Sequence, residues 1–201
     1  MVLTALDVMG TFAFALSGGT RAVESRLDPF GVVFLAFVAA VSGGMLRDAL
    51  IGVTPVSALL TWHHVAISVV AGMSCFFAYR WILRLSRPVA LFDAIGLGLF
   101  CVVGARKALD AGLSPLMAAL LGMLTAIGGG LAADVLTARP PMVLRREIYA
   151  LAALAGAALL TFSAHVGVPD FVAAPIGAML AIGLRLVALS YDWHLPVAEP
   201  R

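Results

Sequence analysis

An internal repeat constrains this chain more than any other feature. The stretch Val41-Ser42-Gly43-Gly44-Met45-Leu46-Arg47-Asp48 returns 86 positions later as Ile127-Gly128-Gly129-Gly130-Leu131-Ala132-Ala133-Asp134. Each copy is followed at the same distance by a proline, Pro55 and Pro141. Glycine costs about 1 kcal/mol against alanine in a helix interior. A glycine cluster followed by a carboxylate, set twice into long apolar runs at one offset, therefore points to a purpose beyond making a plain helix.

The apolar runs decide the class. Of 201 residues, 62% are hydrophobic and 12% charged, against roughly 25% charged in a soluble domain. Phe30 to Leu46 and Leu116 to Ala133 carry no charge and approach the ~20 residues that cross a ~30 Å hydrocarbon core. The chain reads as an integral membrane protein with membrane lipid as its surroundings and little room for a soluble domain. A net charge of +2 gives no argument for nucleic acid. Cys75 and Cys101 lie in apolar runs, form no CxxC, and read as buried small hydrophobes. The N-terminus lacks the basic segment of a signal peptide, and Asp7 interrupts its apolar stretch. Ala13-Phe14-Ala15 has the form of a cleavage site, but the segment has a matching copy later and is kept as a helix.

Seven spans are expected, at about 2–20, 29–50, 62–83, 90–109, 115–137, 147–167 and 170–190, with Pro29, Pro115 and Pro169 marking entries where proline suits a first helical turn. The repeat is wider than its glycines. At the same offset Asp7 matches Asp93, Gly10 matches Gly96, Phe14 matches Phe100, Gly18 matches Gly104, Ala22 matches Ala108, Leu27 matches Leu113 and Pro29 matches Pro115, without a gap. Each copy holds three spans. Because three is odd, the second copy enters the membrane from the opposite side, which is the inverted-repeat plan of many transporters and some channels. The expected fold is all-α and membrane-integral: seven transmembrane helices, as a first three-helix repeat over 1–86, a second, inverted one over 87–168, and a seventh helix with a cytoplasmic tail over 169–201.

Orientation follows from the basic residues. With the N-terminus outside, the cytoplasmic segments hold Arg21, Arg26, Arg80, Arg84, Arg87, Arg139, Arg145, Arg146, Arg185 and Arg201, ten of the thirteen Lys+Arg, as the positive-inside rule asks. The exceptions Arg47, Arg106 and Lys107 lie at outer span ends near Asp48 or Asp110. They are candidates for function, or for simple snorkelling to the interface. The cell inner (plasma) membrane is the expected location.

Gly43 lies 14 residues into its span, roughly 21 Å at 1.5 Å per residue, and Gly129 is equally deep from the other face. A helix broken at such depth frees carbonyl oxygens, tolerated only where protein or a water-filled cavity satisfies them, and carbonyls facing a cavity suit a dehydrating cation. Ser42, Gly43, Gly44, Gly128, Gly129 and Gly130 are thus candidate pore or hinge residues; close helix packing of the small-xxx-small kind is the plainer alternative. Asp48 and Asp134 follow the glycines by one helical turn, and Asp7 and Asp93 sit early in matched spans. Ionisable groups in spans default to functional candidates, so Asp7, Arg47, Asp48, Asp93, Arg106, Lys107 and Asp134 form a candidate gating or charge network, with ion pairing and helix capping as the plainer role. Gly128-Gly129-Gly130 has no Gly-Lys-Ser/Thr sequel and is not a phosphate loop. His63 and His64, being adjacent, point to different helix faces and do not suggest a metal site. No catalytic arrangement, cofactor or metal site beyond a permeating cation is expected.

In both halves the pattern resembles the bacterial members of the trimeric intracellular cation channel (TRIC) family. Asp7-Val8-Met9-Gly10 with Ser42-Gly43-Gly44-Met45-Leu46-Arg47-Asp48, and Asp93-Ala94-Ile95-Gly96 with Gly128-Gly129-Gly130-Leu131-Ala132-Ala133-Asp134, carry the likeness, which spans roughly residues 3 to 165. The resemblance implies seven helices per protomer, a homotrimer, and one monovalent-cation pore per protomer that favours potassium and is lined by second and fifth helices bent at the glycines. It also implies a voltage-linked role for Arg106 or Lys107. Ser42 in place of the first glycine stiffens the first bend, and Ala133 in place of the second arginine removes one half of any symmetric Arg–Asp pairing. The same bacterial domain has been labelled a glycine transporter, so a carrier of a small solute such as glycine is the alternative, and a packing or assembly protein a third class. A leucine at Gly129 is expected to block the pathway.

Overall fold

The computed structural model describes residues 2–82, 84, 87–145 and 148–191, with the backbone alone at Arg145. Arg146, Arg201 and the rest of the tail, used above for orientation, lie outside these residues, as does Glu147 at the expected start of the sixth span. The chain runs α1 (Val2–Glu24), α2 (Pro29–Leu50), α3 (Ser57–Leu60), α4 (His63–Ile82), α5 (Pro88–Asp110), α6 (Pro115–Leu136), α7 (Met142–Arg145), α8 (Ile148–His165) and α9 (Asp170–Ser190). All but the short α3 and α7 are long and apolar enough to cross a membrane. This is the expected all-α, seven-span architecture.

Local chemistry sets the helix ends. Asp28 Oδ1 accepts the Gly31 amide at 2.7 Å just ahead of Pro29, a side-chain cap followed by proline in the first turn. After α2, α5 and α8 the chain turns through Gly52, Gly112 and Gly167, all at positive φ, where the missing Cβ makes the left-handed turn inexpensive. The position matching Gly52 after α6 is Ala138, which adopts φ 52° and carries the same turn, with the Arg139 amide donating to the Asp134 carbonyl. α1 runs past its expected end at 20, keeping Arg21 helical. Its Gly18-Gly19 pair is held by packing, Gly18 against Leu35 and Ala39 of α2 and Gly19 against Cys75 of α4.

α5 is the most buried helix and touches α1, α6, α8 and α9; α1 in turn packs on α2 and α4, and α2 crosses α6. Contacts are exchanged between the halves. A Cβ at Gly10 would lie 2.7 Å from the Phe100 ring, and one at Gly96 would lie 2.7 Å from the Phe14 ring. The two rings stand 5.3 Å apart. A Cβ at Gly43 would run into the Thr125 carbonyl oxygen, and one at Gly129 into that of Ala39, and Ala39 and Thr125 are themselves matched at the repeat offset. Such reciprocity is what a two-fold relation between the repeats requires.

The glycines act differently from a helix break. α2 and α6 stay α-helical through both clusters, so no interruption frees carbonyls at depth. The missing side chains instead let two helix backbones touch, as small residues do in membranes. Gly128 completes the crossing, its Cβ position 2.7 Å from the Gly43 Cα.

Candidate functional site

Two polar clusters lie at opposite ends of the α2–α6 crossing, each built from three or more helices and matched by the repeat. The first lies toward the start of α1. Arg47 donates from Nε (2.9 Å) and Nη2 (2.7 Å) to Asp48 Oδ1, while the Ser57 amide, at the first turn of α3, donates to Asp48 Oδ2 at 2.8 Å. His64 Nε2 stands 3.6 Å from Asp7 Oδ2, and its Nδ1 lies 2.8 Å from Thr61 Oγ1. Lys107 Nζ reaches Ser57 Oγ at 3.5 Å and lies in the electrostatic field of Arg47, Asp48 and Asp7. These groups surround a cavity of about 30 Å³ that Gly44 and Phe100 also line.

At the other end, where α1 and α6 finish, Arg21 pairs with Asp134 Oδ1 at 2.8 Å and donates from the same Nη1 to the Gly130 carbonyl at 3.1 Å. The Met142 amide at the start of α7 donates to Asp134 Oδ2 at 2.9 Å, the counterpart of Ser57 on Asp48. Asp93, Tyr149 and Arg185 fill the protein side of this cluster, all buried. The Arg185 guanidinium lies 4.9 Å over the Tyr149 ring and donates to Met142 Sδ. A cavity of about 430 Å³ opens beside them, lined by Arg21, Arg87, Asp134, Arg139 and Arg185 among others. It shares no lining residue with the first cavity. Buried Phe14 and Phe100 stand in the core between the two ends.

The repeat explains the pairing. Lys107 and Arg21 occupy matched positions, as do Asp48 and Asp134, and Asp7 and Asp93. In the second half Asp134 takes Arg21. In the first half Asp48 takes its own neighbour Arg47, whose match is Ala133, and Lys107 is left at the cavity.

The structure gathers most of the residues expected from sequence. Asp7, Arg47, Asp48 and Lys107 meet in one cluster, Asp93 and Asp134 in the other. Gly44 and Gly130 face these clusters: a Cβ at Gly44 would lie 3.6 Å from Arg47 Nη2, and one at Gly130 would lie against Tyr149 and Asp93. Gly43, Gly128 and Gly129 make the crossing, and Ser42 Oγ donates to the Val38 carbonyl at 2.6 Å. Arg106 stands apart, paired at 2.9 Å with both Asp110 and Asp170. The sequence reading missed Arg21, Ser57, His64, Tyr149 and Arg185. Arg21 had a usable signal, since it is the repeat match of Lys107. His64 was set aside because adjacent histidines diverge on a helix, yet one of them still turns inward.

A family model described as Glycine transporter matches residues 4–80 and 90–165. The inner membrane protein YadS of Escherichia coli K12 is 37% identical, covering 97% of this chain and 94% of that one. A membrane protein of Streptomyces coelicolor is 43% identical over 96% of this chain and 89% of its own. Among solved structures, a TRIC trimeric intracellular cation channel orthologue from Rhodobacter sphaeroides superposes with a TM-score of 0.88 at 36% identity, covering 96% of this chain and 99% of that one. A prokaryotic TRIC channel in 0.5 M KCl gives 0.90 at 32% identity, covering 97% and 99%. The sequence likeness along nearly the whole length and the shared seven-helix fold agree: the chain belongs to this family of multi-pass membrane proteins, as a bacterial member of the TRIC family.

Proposed function

We propose that the protein is a monovalent cation channel, with a pore through each protomer of a homotrimer, permeable to potassium and running past the α2–α6 glycine crossing. One observation carries this reading. Two mouths, each bearing a buried carboxylate fixed by a backbone amide, lie on either side of the α2–α6 glycine crossing and the Phe14–Phe100 pair. Carboxylates at pore mouths draw cations, and a carbonyl such as that of Gly130 replaces part of a cation's hydration shell. The pathway is closed in this conformation. Arg21 occupies both Asp134 and the Gly130 carbonyl, and Arg47 occupies Asp48. Opening requires the basic groups to leave and α2 and α6 to bend or slide at their glycines, which serve as hinges because no side chains interlock there. The arginine-rich mouth faces the cytoplasm on this reading, with the N-terminus outside.

The inverted repeat and a closed midplane also suit alternating access, so carriage of a small solute such as glycine is the second reading. The first cavity, at about 30 Å³, has room for little more than a water molecule, which suits an ion, while the second, at about 430 Å³, has room for a small solute as well. Recording from the purified protein in planar bilayers under a potassium gradient, without organic solute, separates the two. Discrete steps reversing near the potassium potential are expected. Silent bilayers together with saturable uptake of labelled glycine into liposomes would establish the carrier instead.

A further inference from the structure

The buried groups of the arginine-rich cluster are unequally satisfied. Asp93 is 1% exposed, and among the described residues the Tyr149 hydroxyl is the one hydrogen-bonding neighbour of its carboxylate, close enough to interact but short of full hydrogen-bond geometry, so that the negative charge has no ion-pair partner. A buried carboxylate left in this way calls for an explanation. Its repeat match Asp7 is better provided for, with His64 Nε2 at 3.6 Å, so the orphan belongs to one half only.

Its surroundings suggest what it awaits. Asp93 Oδ1 lies 3.0 Å, and Tyr149 Oη 2.8 Å, from the place a Gly130 Cβ would take. The carbonyl of the same Gly130 accepts from Arg21 Nη1. One residue without a side chain therefore stands between the guanidinium and the carboxylate that lacks an ion pair, and the charge of Arg21 already acts on Asp93. Arg185, over the Tyr149 ring and on Met142 Sδ, adds its charge to the same field.

We propose that Asp93 is a second docking station for Arg21: on opening, the guanidinium leaves Asp134 and the Gly130 carbonyl and swings past Gly130 onto the Asp93 carboxylate, with Tyr149 Oη donating to the same carboxylate. The inference rests on the channel reading. The swing conserves charge pairing, uncovers Asp134 and the Gly130 carbonyl for a cation, and withdraws one positive charge from the lumen wall. Asp93 acts through Arg21 and is a positioning residue; it need not touch the permeating ion.

Two measurements test this. In a structure of Asp134→Asn, which removes the first station, the Arg21 guanidinium is expected within hydrogen-bonding distance of Asp93. Finding it still on the Gly130 carbonyl with Asp93 still lacking an ion pair would overturn the proposal, whether or not the protein conducts. In single-channel records Asp93→Asn is expected to lower open probability about tenfold or more, since a hydrogen bond to a charged group is lost from the open state alone, while unit conductance stays unchanged. Asp93→Glu should keep the openings, and Asp93→Asn combined with Asp134→Asn should recover them, outcomes that a misfolded protein cannot give. Wild-type open probability in a well-folded Asp93→Asn protein also overturns the switch. A silent wild-type protein counts against the channel reading and leaves the structural arm to decide the switch.

Discussion

Gly43 and Gly129 sit where two helix backbones meet carbonyl against Cα, and the missing side chain at each is what allows it. A methyl group at Gly43 points at the Thr125 carbonyl oxygen, which belongs to helix backbone and cannot step aside alone. Gly43→Ala should therefore force α2 and α6 apart and destabilise the protein by about 1–3 kcal/mol, as overpacking does. Gly183→Ala in α9, where a Cβ meets nothing within 4 Å, should leave stability unchanged or raised. Thermal denaturation in detergent reads both, and equal melting temperatures for Gly43→Ala and wild type would remove the packing role. Gly129→Leu, expected from sequence to plug a pathway, meets the Ala39 carbonyl and so reports on packing too. Spacing alone marked these glycines as special. It did not say whether they break a helix or join two, because the distinction depends on the partner helix, which a single segment of sequence does not contain.

At the scale of elements, the two short helices that follow the matched prolines are what hold the carboxylates. α3 and α7 each turn an amide toward the carboxylate at the end of the preceding long helix, Ser57 to Asp48 and Met142 to Asp134. The prolines ahead of them, Pro55 and Pro141, were visible in the repeat, but four-residue helices have no periodicity to detect. The difference between the mouths is likewise an element-level effect. Arg47 lies on the same helix as Asp48 and holds it in a two-pronged contact, whereas α6 offers Ala133 at that place and Asp134 recruits Arg21 from α1. Arg47→Ala should free Asp48 Oδ1 for Lys107 and build at the first mouth the same cross-helix latch that closes the second. The expected result is a fall in open probability, reversed when Lys107→Ala is added. An Arg47→Ala protein that opens as often as wild type would show that Lys107 does not compete for Asp48. Lys107 was legible as a basic residue out of place; its competitor's effect was not, since it depends on which of two cations reaches one carboxylate.

At the scale of the whole molecule, the seven-span count was legible because the membrane leaves few charges to interrupt the apolar runs, and the duplication, by writing one constraint twice, put Asp7, Asp48, Asp93, Asp134 and Lys107 in view as candidates. The buried side of the second cluster was not. Arg185 comes from α9, outside the duplication, so no offset points to it, and Tyr149 of α8 is matched at the repeat offset by His63, a different residue type that gives no hint of it. That the repeats of one chain enclose both mouths has a consequence for the assembly. A closed homo-oligomer can conduct along its symmetry axis or through each subunit separately. The two mouths, the glycine crossing and the Phe14–Phe100 pair lie within one chain, as the proposed pathway through each subunit requires. Gly44 lines the small cavity of the first mouth with only Arg47 Nη2 near its Cβ position, at 3.6 Å, so Gly44→Leu should fill that mouth without disturbing the helix crossing. In the proposed homotrimer, assemblies reconstituted from mixed wild-type and Gly44→Leu subunits should then show conductance levels that step with the number of wild-type subunits, each step equal in size. If one blocked subunit silenced the whole trimer, the pathway would have to run between the subunits, and the polar mouths within each chain would serve gating or folding in place of permeation.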